Sequence, residues 1–141
     1  MIELYNLPIS LNSDKIKDTL YSASKAHKVS IDKLTFSFVK DHQMLILNKR
    51  FLNHNTYTDI ITFSYESKPY ILAEVFISID QCIQNAKKFS QSIDNETLRL
   101  ISHGFLHAIG FSDKSTSEIH SMRKEENKII KMFHVKQLLN D

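Results

Sequence analysis

The chain has little of what staples or breaks a fold: in 141 residues there is one cysteine, two glycines, two prolines and no tryptophan. A lone thiol, Cys82, excludes an internal disulfide and leaves no second cysteine for a thiolate metal site, so any bound ion must take nitrogen and oxygen ligands. No run of about 18 apolar residues occurs, and the start MIELYNLPISLNSDK has no basic stretch leading into an apolar one. These absences predict a protein that is neither exported nor membrane-spanning and that works in the cytoplasm. No charge of one sign dominates either. The net charge is +2 and the pI near 8.6, short of the basic excess, pI above about 9, that by itself argues for nucleic acid.

What is present is ordinary for a globular protein. Hydrophobic residues make up 42% and charged residues 24%, far from the composition of disorder, and the length suits one domain, residues 1–141. The segment IELYN reads as a short first strand, and a helix is expected over about 13–27 from Ile16, Leu20, Ala23 and Ala26 at three- and four-residue spacings. KLTFSFVK alternates Leu34, Phe36 and Phe38 with Thr35, Ser37 and Val39, the period of a strand. Met44, Leu45, Leu47, Phe51 and Leu52 predict a helix over about 41–53, with HNTY as a polar turn after it. DIITFSYE and YILAEVFISI read as a hairpin turning at Ser67, Lys68 and Pro69. Asp80 is expected to cap a third helix to about 91, and Asp94 a fourth that stops at Gly110. Ser115 and Glu118 have capping-box spacing before a last helix bearing Ile119, Met122, Glu126, Ile129 and Ile130. This order predicts an α+β fold, a central mixed four-stranded sheet packed with about five helices, carrying a metal site at the end of a helix.

Both glycines, Gly104 and Gly110, fall within HGFLHAIGFSDK. His103 and His107 lie four apart on the expected helix, so both imidazoles project from one face. Gly110 lets the chain reverse, and Asp113, three residues on, can return a carboxylate to the same ion. Three protein ligands with one open position describe a catalytic rather than a closed structural zinc site, with a bound water of lowered pKa as nucleophile. Other divalent ions accept the same ligands. Seven histidines also make a chance pair at this spacing common, and histidine often serves merely as a packing residue.

At these residues HGFLHAIGFSD is similar to the zinc motif of the YbeY family of bacterial rRNA-processing endoribonucleases, usually HGxLHLxGyDH. His103, Gly104, Leu106, His107, Gly110 and the aromatic Phe111 match, while the third ligand position, normally histidine, holds Asp113. A second block, LNKRFLNHNTYTDIITF, resembles the family's LNxxYRxxDxPTDVLSF through Leu47, Asn48, Phe51, Thr58, Asp59, Ile60 and Phe63. A third, LAEVFIS, is similar to LGDIxIS, with Ala73 for glycine and Glu74 for aspartate. The resemblance spans roughly residues 31–131. It implies a zinc-dependent, single-strand-specific endoribonuclease of rRNA maturation, acting at the 16S rRNA 3′ end and in ribosome quality control. One zinc per chain, rRNA and the ribosome or its proteins follow as cofactor and partners. The family's arginine aligns with Leu52; Arg50, two residues earlier, is the candidate phosphate contact in its place, with Lys49 or a residue of the last helix as alternatives.

Two other functions compete. A metallopeptidase of the HExxH type has two histidines at this spacing, but its general base is the glutamate beside the first histidine, and here that position is Gly104. A non-catalytic ribosome-assembly factor would use the metal chiefly for stability. Lys87, Lys88, Arg99, Arg123, Lys124, Lys128 and Lys131 are candidate phosphate contacts, although lysines scattered on helices more often form a solvated face. His27, His42, His54 and His134 are expected to be surface residues and, with His120, are assigned no ligand role; Thr58 and Asp59 are expected to shape the turn into a strand, with a cleft between the TYTDIITF strand and the helix ending at Gly110, and Cys82 to be a buried apolar residue.

Overall fold

The computed structural model describes residues 1–52 and 58–140. In chain order its elements are β1 (Ile2–Tyr5), α1 (Ser13–Ala26), β2 (Ser30–Val39), α2 (Asp41–Leu47), a π-helical turn (Asn48–Leu52), β3 (Ile60–Glu66), β4 (Tyr70–Ser78), α3 (Ile79–Lys88), α4 (Ile93–Ala108) and α5 (Thr116–Asn140). The four strands form one mixed sheet in the order β1-β2-β4-β3. β1 runs parallel to β2 and β2 to β4, while β3 and β4 form the expected antiparallel hairpin. Parallel neighbours need crossovers, and α1 and α2 supply them. The α+β expectation of a mixed four-stranded sheet with five helices holds.

One sheet face is apolar because alternate residues of β2 and β4 point to it: Leu34, Phe36, Ile71, Val75 and Ile77 are wholly buried. Over them lie α1 through Ile16 and Leu20, α4 through Ile101 and Phe105, and α5 through Met122, Ile129 and Phe133. The opposite face keeps an aromatic row, Phe51 edge-on to Phe63 at 5.7 Å and Phe63 edge-on to Phe76 at 5.9 Å.

The expected boundaries shift in three places. The helix predicted over 41–53 ends at Leu47, and the wider π turn that follows changes the phase of the later residues. Only Met44 of its apolar stripe is buried, while Phe51 and Leu52 stay exposed. Residue 53 and the HNTY turn, with His54, lie outside the described residues. α3 and α4 are capped by Ser78 and Ser92, not by Asp80 and Asp94; each serine hydroxyl accepts from the backbone N–H three residues on, at 3.1 and 3.0 Å. The aspartates fall inside the first turns, where their charge suits the helix dipole. The capping box opening α5 forms as expected, Ser115 N–H donating to Glu118 and Glu118 N–H to Ser115. Among the described residues no helix is long and apolar enough to cross a membrane.

Candidate metal centre and its flanking clefts

α4 brings His103 and His107 one turn apart, and its C-terminus delivers the third donor. Gly110, at φ +108°, takes the left-handed conformation that turns the chain back. Its N–H donates to His107 O at 3.0 Å and that of Phe111 to Leu106 O at 2.9 Å, the paired bonds of a Schellman cap. The reversal returns Asp113 to the helix. His103 Nε2, His107 Nε2 and Asp113 Oδ2 then form a nearly equilateral triangle with sides of 3.0, 3.3 and 3.4 Å.

The chemistry of this triangle fits a cation. A carbonyl oxygen only accepts, so His107 Nδ1, 3.0 Å from Phe111 O, carries the ring hydrogen. Glu126 Oε2, 2.6 Å from His103 Nδ1, fixes the other ring in the same way. Both Nε2 lone pairs therefore point into a space shared with a carboxylate oxygen, an arrangement that is repulsive until a proton or metal ion enters. Donors about 2.0–2.1 Å from a tetrahedral zinc stand about 3.3 Å apart, close to the observed sides. The three ligand residues expected from sequence are thus brought together, and they are a group that could bind a metal.

Gly104 is explained by packing. A Cβ built there would lie 2.7 Å from Val75 Cγ1 and 3.2 Å from Ile60 Cδ1, so only glycine lets α4 approach the sheet this closely. This position faces the sheet and not the triangle. The glutamate of the metallopeptidase arrangement has no room here.

Glu126, which the sequence reading passed over as one position of an apolar stripe, is the buried partner of His103. It is 4% exposed, and besides His103 it accepts from Arg99 Nη1 at 3.0 Å. Burial works against its charge, but the hydrogen bond and charge of His103, with the Arg99 bond, bring its pKa below the ordinary value. Burial likewise opposes a charged His103, yet the bond to Glu126 and the carboxylates of Glu126, Asp113 and Asp59 raise its pKa. The signal was available: a carboxylate on the core-facing side of a helix, between Met122 and Ile129, requires a buried partner.

Two clefts meet at the triangle. A groove of about 520 Å³ is lined by Thr58, Thr62 and Ser64 of the β3 side with His103, His107 and Asp113; this is the expected cleft between α4 and the TDIITF segment, whose preceding residues 56 and 57 lie outside the described ones. A cavity of about 460 Å³ opens on the other side, among α3, α4 and α5. Asp59 lines both, its Oδ2 accepting from Asn85 Nδ2 at 2.9 Å. Glu96 is 5% exposed, and burial pushes its pKa up against a hydrogen bond from Asn85 and the charge of Arg99.

The other sequence candidates sit apart from the triangle. Arg50 is exposed on the π turn, its guanidinium 5.6 Å from the Phe51 ring centroid, and lines neither cleft. Of the basic residues, Arg99 and Arg123 line the cavity on the α5 side. Lys128 pairs with Glu125, and Lys87, Lys88, Lys124 and Lys131 are exposed. His42, His120 and His134 are exposed, whereas His27 is half-buried, 3.5 Å from Glu125 and edge-on to Phe111 at 5.6 Å. Cys82 is buried beside the Thr97 hydroxyl.

The comparisons with known proteins agree with this architecture. The family model described as endoribonuclease YbeY matches residues 6–134, a wider span than the sequence resemblance. The chain is 34% identical to the endoribonuclease YbeY of Flavobacterium johnsoniae, over 94% of this chain and 96% of that one. It is 40% identical to that of Cytophaga hutchinsonii over 80% of each. The solution structure of TM1509 from Thermotoga maritima has the same fold, with a TM-score of 0.72 at 22% identity, covering 99% of this chain and 93% of that one.

Proposed function

The chain belongs to the endoribonuclease YbeY family, and from this premise we propose that it is a zinc-dependent, single-strand-specific endoribonuclease of rRNA maturation, acting at the 16S rRNA 3′ end and in ribosome quality control. Membership makes it a nuclease that acts on phosphodiester bonds, with RNA as substrate. The finer reading is a single-domain cytoplasmic enzyme with one zinc per chain that meets its substrate on the ribosome or with ribosomal proteins.

The observation that carries the proposal is the convergence of two imidazole lone pairs and one carboxylate oxygen, with both remaining ring nitrogens already committed. His103 and His107 would hold the ion through Nε2, with Asp113 as third donor and negative charge. Such an ion would supply Lewis-acid character toward a phosphoryl oxygen and a water whose pKa is lowered to about 7. Glu126 and the Phe111 carbonyl keep both rings in the ligand tautomer and orientation. Thr58, Thr62 and Ser64 offer hydroxyl donors to the RNA backbone along the groove.

The test is metal content by mass spectrometry on untagged protein, wild type beside Asp113→Ala, each assayed on single-stranded and structured RNA. One zinc per wild-type chain, lost together with cleavage in the variant, supports the enzyme. A folded, metal-free wild type that binds RNA without cutting it supports the assembly-factor reading instead.

A further inference from the structure

The cavity between α3, α4 and α5 has two unlike surfaces. Phe89, at the end of α3, and Ile119, near the start of α5, line it from opposite elements and are 56% and 53% exposed; large apolar side chains are left uncovered because they face this space. Leu100 and Met122 continue the apolar wall. The polar floor is rich in acceptors. Asn85 donates to Asp59 Oδ2 at 2.9 Å and also hydrogen-bonds to Glu96. With its amide hydrogens engaged, the floor presents carboxylate and carbonyl oxygens. Arg99 is committed to Glu126 and Asn127 at 3.0 and 3.1 Å, while Arg123 at the rim, 61% exposed at the side chain, has its Nη1 3.8 Å from Glu126 Oε1.

Such a space rejects a phosphate, which would face Asp59, Glu96 and Glu126, and accepts a flat apolar ring that carries donors. Its volume of about 460 Å³ lies within the range of small-ligand sites, and His103 and Asp113 border it, so an occupant lies next to the metal triangle. Resting on the nuclease reading above, we propose that this cavity is a nucleobase pocket for the nucleotide flanking the scissile phosphate, selecting adenine, cytosine or guanine over uracil. Phe89 stacks on the base, and Asp59 and Glu96 accept from its exocyclic amino group. Uracil has no amino group; its one N3–H donor is flanked by two carbonyl oxygens, which would face those carboxylates. Arg123 meets the backbone at the rim.

The experiment is a titration of the full chain with AMP, CMP, GMP, UMP and ribose 5-phosphate, followed by backbone amide shifts in NMR. The three amino-bearing nucleotides are expected to bind roughly tenfold more tightly than UMP, with shifts at Asn85, Glu96 and Ile119. Phe89→Ala, an exposed position whose loss leaves the core intact, lowers their affinity roughly tenfold and leaves ribose 5-phosphate unchanged. Glu96→Gln, which puts a donor where an acceptor stood, narrows the gap between CMP and UMP. Equal binding of all five compounds, no binding, or a folded Phe89→Ala that discriminates like wild type overturns the pocket. Cleavage of single-stranded RNA by the zinc-loaded chain is followed alongside. A chain that cuts RNA without base preference at any nucleotide flanking the cut loses the pocket and keeps the nuclease; one that binds by this rule but cuts nothing keeps the pocket and loses the nuclease.

Discussion

In α4, His103 and His107 stand on a helix whose opposite face is locked to the sheet by Gly104, Ile101 and Phe105. On the π turn after α2, Arg50 stands beside Phe51 and Leu52, all three exposed, with Phe51 edge-on to Phe63. Both segments carry blocks that resemble the same family, but the first holds its candidate ligands from behind. Its rings are each fixed at Nδ1, and its helix cannot shift without a clash. Precision at a site comes from the packing and hydrogen bonds behind it more than from the residues that touch the ligand.

The comparison is broken most directly at the ligands. His107→Ala is expected to lose nearly all bound zinc and to lower RNA cleavage by about 100-fold or more, since even loss of a supporting residue costs about 10- to 100-fold. Full metal retention in that variant, read by mass spectrometry, would remove the ligand assignment. Glu126→Gln tests the support itself. It keeps the shape but weakens the bond to His103, and zinc affinity, measured by competition with a chelator, should fall about tenfold with the fold retained. An unchanged affinity would mean that the carboxylate serves only Arg99.

Gly104→Ala sharpens the comparison from the sheet side. The added methyl meets Val75, and overpacking of this kind costs about 1–3 kcal/mol, lowering Tm by several degrees. A variant as stable as wild type in calorimetry would show that α4 is not pinned there. A pH series on the chelator-treated chain reads the His103–Glu126 pair. The raised pKa of His103 means its contribution is complete below the ordinary value of 6.5 and is lost as pH rises through the higher folded value. The lowered pKa of Glu126 means its contribution is present above 4.5 and is lost as pH falls through its lower folded value. Thermal stability of the metal-free chain should therefore peak between these two values, whereas zinc loading should improve as pH rises and the proton leaves Nε2. A melting temperature flat across that range would deny the pair its strength. The smallest effect is expected at Arg50→Ala, about threefold or less on cleavage, because the side chain is exposed and lines neither cleft. A 100-fold loss there would make the π turn part of the working site and erase the contrast.

The strands and the last helix were legible because their signals are local. Alternation in KLTFSFVK and the hairpin at Ser67 to Pro69 depend on neighbours in sequence, as does the reciprocal cap of Ser115 and Glu118. The helix after Asp41 misled because an apolar stripe cannot reveal that one extra residue per turn will turn Phe51 toward Phe63. Asp80 and Asp94 misled because a serine two residues earlier was already extended and placed to cap. His27 looked like a surface residue, and only the return of α5 and the post-Gly110 loop puts Glu125 and Phe111 against it.

By itself the sequence determined which three candidate ligands, His103, His107 and Asp113, come together and the chain reversal that assembles them, because four residues make about one helical turn and glycine permits a positive φ. Tertiary structure alone decided Glu126, the cavity of Phe89 and Ile119, and the reason for Gly104. Each depends on distance between elements far apart along the chain, and close packing, not spacing in sequence, sets those distances.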